Sequence, residues 1–368
     1  MLLAIFSFFT VFMLSYKNIY LSNIVFFILF YKSFSVRNID RRMLFTFLLF
    51  ELCVIVSTLV FISEYGVLSN RILTQFLFTS QYIIFCFYFD SQTMKKIIVW
   101  SRAFGYILSI YIIVVLLFTG TYKLLGSSFL SATNRMWGFG YIPQWPNGIP
   151  LSLVFILWIE LREESPDWLL SCLCGLTAIL TTSRIGLLGT VLVVFYFLLM
   201  QYKLQSRKVK IIIVSAVLLL SFFAVLLILN NTDFSSRLLS YKDRGALWSE
   251  TMNAIKNRPI LGYGGNTLDV YSQHFPIDEE NAWLMTHTHN TVLEISLRYG
   301  IPSVLLFSIF LMQGFSRINT TQNRFMFILL MLMSLFQIFI RDFIFLFYLI
   351  FLMNEGNFSD RKNEGVSA

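Results

Sequence analysis

Residues 43–63 read MLFTFLLFELCVIVSTLVFIS. One charged residue, Glu51, interrupts the run. A helix crossing the hydrocarbon core of a bilayer needs about 20 predominantly apolar residues, with a range of roughly 17–25. A helix on the surface of a soluble domain shows an apolar stripe opposite a polar face. This stretch has the length of a span and no polar face, so it reads as a transmembrane helix.

The same pattern recurs on both sides. Spans are expected at about 2–16, 19–34, 43–63, 72–89, 97–118, 149–163, 167–182, 185–201, 211–229, 301–315, 325–340 and 342–354. The 368-residue chain is 57% hydrophobic and 13% charged, against about 45–50% and about 25% for soluble domains. The expected fold class is therefore all-α: a polytopic inner-membrane bundle of about 12 transmembrane helices, with a large extracytoplasmic loop that contains short helices. The first apolar run starts at Met1 without a basic flank or a small-residue cleavage site, and reads as a retained span rather than a signal peptide. The expected organisation is an N-terminal bundle over 1–229, a large outer loop over 230–300, C-terminal helices over 301–354 and a polar tail over 355–368, with the polar, disordered character of that tail beginning at Asn354.

The formal net charge of +8 is no nucleic-acid footprint, because the basic residues sit mostly in short loops between apolar runs. With the N-terminus in the cytoplasm, one set of loops holds Lys32, Arg37, Arg41, Arg42, Lys95, Lys96, Lys203, Arg207, Lys208, Lys210, Arg317 and Arg324. The opposite short loops hold Lys17, Arg71, Lys123, Arg135, Arg184 and Arg341. That bias places both termini in the cytoplasm and the 230–300 loop outside. The acidic loop Glu160–Asp167 falls inside in this arrangement; acidic residues count little in the rule. All four cysteines, Cys53, Cys86, Cys172 and Cys174, lie in apolar runs and read as buried thiols, not as disulfides or metal ligands.

The loop 230–300 is the long polar segment of the chain and holds all three histidines, His274, His287 and His289. Asp243–Asn257 reads as a helix, with Leu247, Trp248, Met252 and Ile255 at helical spacing and Pro259 as its stop. Arg244 lies in its first turn, where free N–H groups and a guanidinium suit a phosphate. Taken alone, pairing with Asp243 or Glu250 explains that arginine as well. Gly262-Tyr263-Gly264-Gly265 lacks nucleotide-fold spacing and reads as a flexible turn. His287-Thr288-His289-Asn290 leads into a second amphipathic helix with Val292, Leu293, Ile295 and Leu297 on its apolar face. Gly300 would cap that helix and Pro302 would open the next span. His289 in a helix first turn would stay neutral, which suits a general base; a capping histidine is the plainer alternative. A His-x-His pair without a third ligand at motif spacing makes a metal site the weaker reading.

Arg184 ends the Thr181-Thr182-Ser183-Arg184 stretch at a span boundary. An arginine there snorkels to the interface or serves a site. In the earlier outer loop, Thr119–Pro150, the residues Trp137, Tyr141 and Trp145 read first as an interfacial belt. Arg184, Arg244 and His289 are all expected on one membrane face. Two cations and one base fit a phosphate-bearing lipid donor and a hydroxyl acceptor.

These residues resemble a family. Thr182-Ser183-Arg184, then Arg244…Trp248…Pro259…Gly262, then His289-Asn290-x-x-Leu293…Gly300, in that order across one outer loop, are similar to the O-antigen ligase and Wzy polymerase superfamily. The Arg135…Pro146-Asn147 loop resembles the family's earlier outer loop, so that the likeness covers roughly 130–310. The resemblance implies an inverting, metal-independent glycosyl transfer with no cofactor. The donor it implies is a glycan on undecaprenyl pyrophosphate, the acceptor a glycan or lipid-linked hydroxyl, with membrane lipid around the site and a chain-length regulator as a further partner. It implies His289 as base, with Arg184 and Arg244 at the leaving pyrophosphate. Arg135, Arg237, His287, Asn290 and Arg341 are the substrate-binding candidates.

Within that superfamily a polymerase of lipid-linked repeat units is favoured by the short chain, the compact loop and the Phe-, Ile- and Asn-rich composition. The alternative is a ligase acting on lipid A-core or on protein. A flippase is the alternative of another class, but it would carry charges deep in several spans, and here the span interiors hold little beyond Glu51 and Arg102. A polyprenyl-phosphate sugar transferase would want an acid in the first outer loop, and Lys17–Tyr20 has none.

Overall fold

The computed structural model describes residues 39–65, 79–89, 91–120, 148–163, 165–180, 184–204, 241–264, 288, 290–335 and 343–355. In chain order the helices are α1 (Arg41–Tyr65), α2 (Ser91–Gly120), α3 (Gly148–Arg162), α4 (Trp168–Leu180), α5 (Arg184–Leu204), α6 (Tyr241–Asn257), α7 (Thr291–Ser316), α8 (Thr321–Ser334) and α9 (Phe343–Glu355). A 3-10 turn, Gln81–Cys86, lies between α1 and α2. Among the described residues there is no strand, only the isolated bridge between Ile39 and Phe87.

The protein is a helical integral membrane protein. Two described helices, Arg41–Glu64 and Thr291–Ser316, are long and apolar enough to cross a membrane. Their outward faces are apolar: Phe45 is 65% exposed, and Leu48, Leu52, Leu59, Leu305, Ile309 and Met312 are exposed with it. Aligned large apolar side chains facing outward suit lipid, not water. The spans expected at 43–63, 97–118, 149–163, 167–182 and 185–201 coincide with helices. The run 72–89 differs, since its described part ends as the 3-10 turn rather than as an α-helix. Spans 2–16, 19–34 and 211–229 lie outside the described residues.

The chain forms two compact units. One comprises Met1–Lys17 and Lys96–Ser240, the other Asn18–Lys95 and Tyr241–Ala368.

In the first unit α3 packs against α4 and α5. Every residue from Pro150 to Leu161 is buried, which is how a helix apolar all round is accommodated. Its one buried acid, Glu160, accepts a hydrogen bond from Arg102 Nε on α2 at 2.5 Å. Arg102 is thus a partner of Glu160 rather than a lone charge in a span. Beside it, Tyr106 donates to Asp167 Oδ2 at 2.5 Å, and that bond with the Leu170 N–H holds the Asp167 carboxyl below its ordinary value.

In the second unit α1 lies along α7. Phe47 meets Phe310 at 6.0 Å between ring centres, Phe50 meets Phe307 at 5.5 Å, and Tyr82 meets Phe307 edge-on at 5.1 Å. Offset and edge-on ring pairs of this kind add about 0.5–1.5 kcal/mol beyond area burial. Asp40 caps α1 by accepting from Arg42 and Met43 N–H at 2.9 and 3.1 Å, and its other oxygen takes Arg317 Nη2 at 2.8 Å. Burial pushes the Asp40 carboxyl up; the Arg317 hydrogen bond, the Met43 N–H and the charge of Arg317 outweigh it and leave it below its ordinary 3.8.

Two sequence expectations are corrected here. Asn354, read as the start of a disordered tail, is buried in α9. It accepts from Phe89 N–H at 3.0 Å and donates to Ile350 O at 3.0 Å, because a polar group at that depth must find partners. The cysteines are free, but only Cys86 and Cys174 are buried; Cys172 is exposed and Cys53 half-buried. Cys172 shares α4 with the exposed Trp168, Leu169 and Leu176, on an apolar helix whose outer side chains do not need protein cover.

Candidate active site

The α6–α7 junction in the second unit carries the described part of the expected site. Helix α6 begins at Tyr241, two residues ahead of the expected start, and ends at Asn257, two residues before Pro259. Leu247, Ala254 and Ile255 pack with Tyr263 and Leu297, and Trp248 and Leu293 close the edge of that cluster. Met252, expected on the packing face, is 45% exposed instead. Thr251 and Ala254 take the buried positions, the Thr251 hydroxyl being absorbed by a bond to Leu247 O at 2.7 Å.

The turn after α6 is not the flexible element its glycines suggest. Tyr263 N–H donates to Leu297 O at 2.9 Å, Gly264 N–H to Arg298 O at 2.6 Å, and Ile301 N–H to Pro259 O at 2.8 Å. These bonds serve the break in α7. Gly300 has φ +82°, outside the helical region, and Pro302 has no N–H to give back to Arg298 O. Leu297 and Arg298 therefore lose their i+4 donors, and the turn supplies replacements. Ser57 of α1 adds its hydroxyl to Arg298 O at 2.7 Å and to Leu261 O. A Cβ on Gly300 would overlap the Ile260 carbonyl, so the close approach requires glycine. Gly300 thus ends one helical segment and Pro302 sits in the next, as the sequence indicates, although the two run on as one kinked helix.

Helix α7 begins at Thr291 with Asn290 as its N-cap, the Asn290 Oδ1 accepting Leu293 N–H at 3.0 Å. The helix start is therefore later than expected, and position 289 precedes the cap. Nor is this first segment amphipathic with a wet face. Val292 is exposed, whereas Glu294, Ile295, Ser296, Leu297, Arg298, Tyr299 and Gly300 are all buried. Its polar side is closed by an ion pair between Glu294 and Arg298, each 1% exposed, one helical turn apart.

Thr288 is the meeting point of these elements and is fully buried. Its carbonyl accepts Trp248 Nε1–H at 2.8 Å. Its own N–H donates to Glu294 Oε2 at 3.2 Å, and its hydroxyl donates to the same oxygen at 2.9 Å and to Asn290 O at 2.9 Å. Arg244 stands one turn before Trp248, so its Cα lies on the helix face from which the indole reaches Thr288. The α6 position of Arg244 and the chain next to His289 thereby belong to one packed element pair.

Arg184 is the first residue of α5 in the other unit. Its helix start is set by close packing: a Cβ on Gly186 would overlap the Ala178 carbonyl of α4 and sit 3.0 Å from Pro150 Cβ of α3. His289, His287, Arg135, Arg237 and Arg341 lie outside the described residues, as does His274. Sequence reasoning missed Glu294 and Arg298, although their i, i+4 spacing was visible, and it placed Trp248 on an apolar face and in the family-like run without giving its indole N–H a partner.

Comparison with known proteins gives one finding. No curated protein and no solved structure matches the chain. The matched segment, residues 169–308, runs from α4 to past the Gly300 break in α7, so it contains Arg184, Arg244, Trp248, Thr288, His289 and Glu294, while the Arg135…Pro146-Asn147 loop falls before it. That segment matches the family described as O-antigen ligase, and the match supports assigning the chain to the O-antigen ligase and Wzy-type superfamily.

Proposed function

We propose that the protein is a glycosyltransferase of the bacterial inner membrane that joins undecaprenyl-pyrophosphate-linked repeat units into polysaccharide on the outer face. The observation that carries the reading is the Trp248–Thr288 hydrogen bond, which links the Arg244 helix to the residue before His289 inside the matched segment. In this mechanism His289, as neutral imidazole, takes the proton of the acceptor hydroxyl. The oxygen attacks the anomeric carbon, and the carbon–oxygen bond to pyrophosphate breaks with inversion. Arg184 and Arg244 stabilise the charge growing on the pyrophosphate, a contribution of the kind that commonly dominates transfer catalysis. Pyrophosphate leaves readily when so neutralised, and no metal is assigned a role.

Ligation of a finished chain to lipid A-core or protein is the second reading, the activity for which the matched family is described. The two separate in one assay. Purified protein is given an undecaprenyl-pyrophosphate-linked repeat unit alone, and the products are sized. A ladder is the expected result. No ladder, but transfer once lipid A-core or a protein acceptor is added, would establish the ligase. Movement of the lipid between leaflets without any covalent product would exclude both.

A further inference from the structure

We infer that Thr288, held by Glu294 and Trp248, is a positioning residue that fixes the chain carrying the base; the inference rests on the assignment of His289 made above. Thr288 engages three groups at once. Its carbonyl is held by the Trp248 indole at 2.8 Å, its N–H and hydroxyl by Glu294 Oε2 at 3.2 and 2.9 Å, and its hydroxyl also by Asn290 O at 2.9 Å. Asn290 is in turn fixed as the cap of α7. Thr288 is therefore tied to α6 and α7 together, and Asn290 to α7.

The choice of groups argues for geometry rather than for stability alone. Glu294 and Arg298 form a buried ion pair, and such a pair is often no more stabilising than apolar residues of the same volume. What it provides here is a fixed acceptor at the start of a helix. Arg298 occupies one carboxylate oxygen and leaves the other, Oε2, directed at both donors of Thr288. The Arg298 carbonyl is itself anchored by Gly264 N–H and by Ser57, so the acceptor belongs to a braced segment. A general base works only within hydrogen-bond reach of its proton, and small displacements are costly.

The test compares T288V, T288S, W248F and H289A as purified full-length proteins, with steady-state kinetics on the lipid-linked repeat unit. T288V keeps the shape of threonine and loses the hydroxyl. It is expected to lower kcat by up to about 10²-fold, as a misplaced catalytic group does, with KM for the donor unchanged. T288S restores the hydroxyl and is expected to restore kcat. W248F removes the indole donor together with part of the ring volume packed beside Leu247 and Leu297, and is expected to lower kcat in the same direction. Parental kcat in both T288V and W248F, with H289A inactive, would overturn the inference and leave the base assignment standing. So would a T288V loss that merely follows the fraction of folded protein. An active H289A would remove the base assignment and this inference with it.

Discussion

At the scale of single residues, the sharpest constraints surround Gly300 and Ser57. Gly300 combines a positive φ with a carbonyl lying where its Cβ would be. Gly300→Ala is expected to cost more than the ~1–3 kcal/mol of holding a side chain in that glycine-only backbone conformation, read as a lower melting temperature in detergent. Ser57→Ala removes the one hydroxyl shared by the Leu261 and Arg298 carbonyls, and leaves part of a buried acceptor pair unsatisfied. Its expected cost is about 1–3 kcal/mol, by the same measurement. His289→Ala should lower transfer by at least the roughly 10²–10⁴-fold that a general base contributes, in protein that remains folded and inserted. Arg244→Ala should abolish transfer with it, since the leaving group would lose a charged donor. An Arg244→Ala protein with parental turnover would remove that arginine from the mechanism.

At the scale of elements, much was legible because bilayers make strong demands. Long, largely apolar runs form helices there, and Arg41–Tyr65, Gly148–Arg162 and Thr291–Ser316 carry that signal plainly. Local stops were legible too: Pro259 follows α6 and Gly300 breaks α7, because proline and glycine act on their own backbone. What escaped were pairings between residues far apart in sequence. Nothing near Ser57 announces that it bonds Leu261 and Arg298, more than two hundred residues away. Nothing near Asn354 announces Phe89. The buried face of α6 was misjudged at Met252 because threonine and alanine can replace a larger apolar residue where helices approach closely. Of the candidate site, the helix start at Arg184 and the helix that carries Arg244 were legible, whereas the clamp on Thr288 was not, since it uses backbone groups and an acid that sequence patterns treat as solvent-facing.

The cap of α1 makes an element-level prediction with a definite sign. Asp40 is held below its ordinary value in the folded protein, so its contribution to stability is fully present above about 3.8 and is lost as pH falls through the lower folded value. Thermal melts in detergent should therefore lose stability as pH drops below 3.8, and Asp40→Asn should flatten that part of the profile. A mutant profile parallel to the parent there would show that the Asp40–Arg317 pair adds no pH-dependent stability.

At the scale of the whole molecule, helices with outward apolar faces and the α6–α7 junction occur in one chain, whose residues 169–308 match the O-antigen ligase family. The transfer proposed above acts on a lipid-linked substrate and uses no metal. Chelators should leave the rate of transfer unchanged, and strong inhibition by EDTA reversed by a divalent ion would call for a metal in the mechanism. The most direct test of the central claim is single-turnover transfer from an undecaprenyl-pyrophosphate-linked glycan by purified protein in liposomes, parent beside His289→Ala. The account predicts pyrophosphate-lipid release and a new glycosidic bond of inverted configuration with the parent, and neither with the variant. A variant that forms the same bond at the parental rate would contradict it.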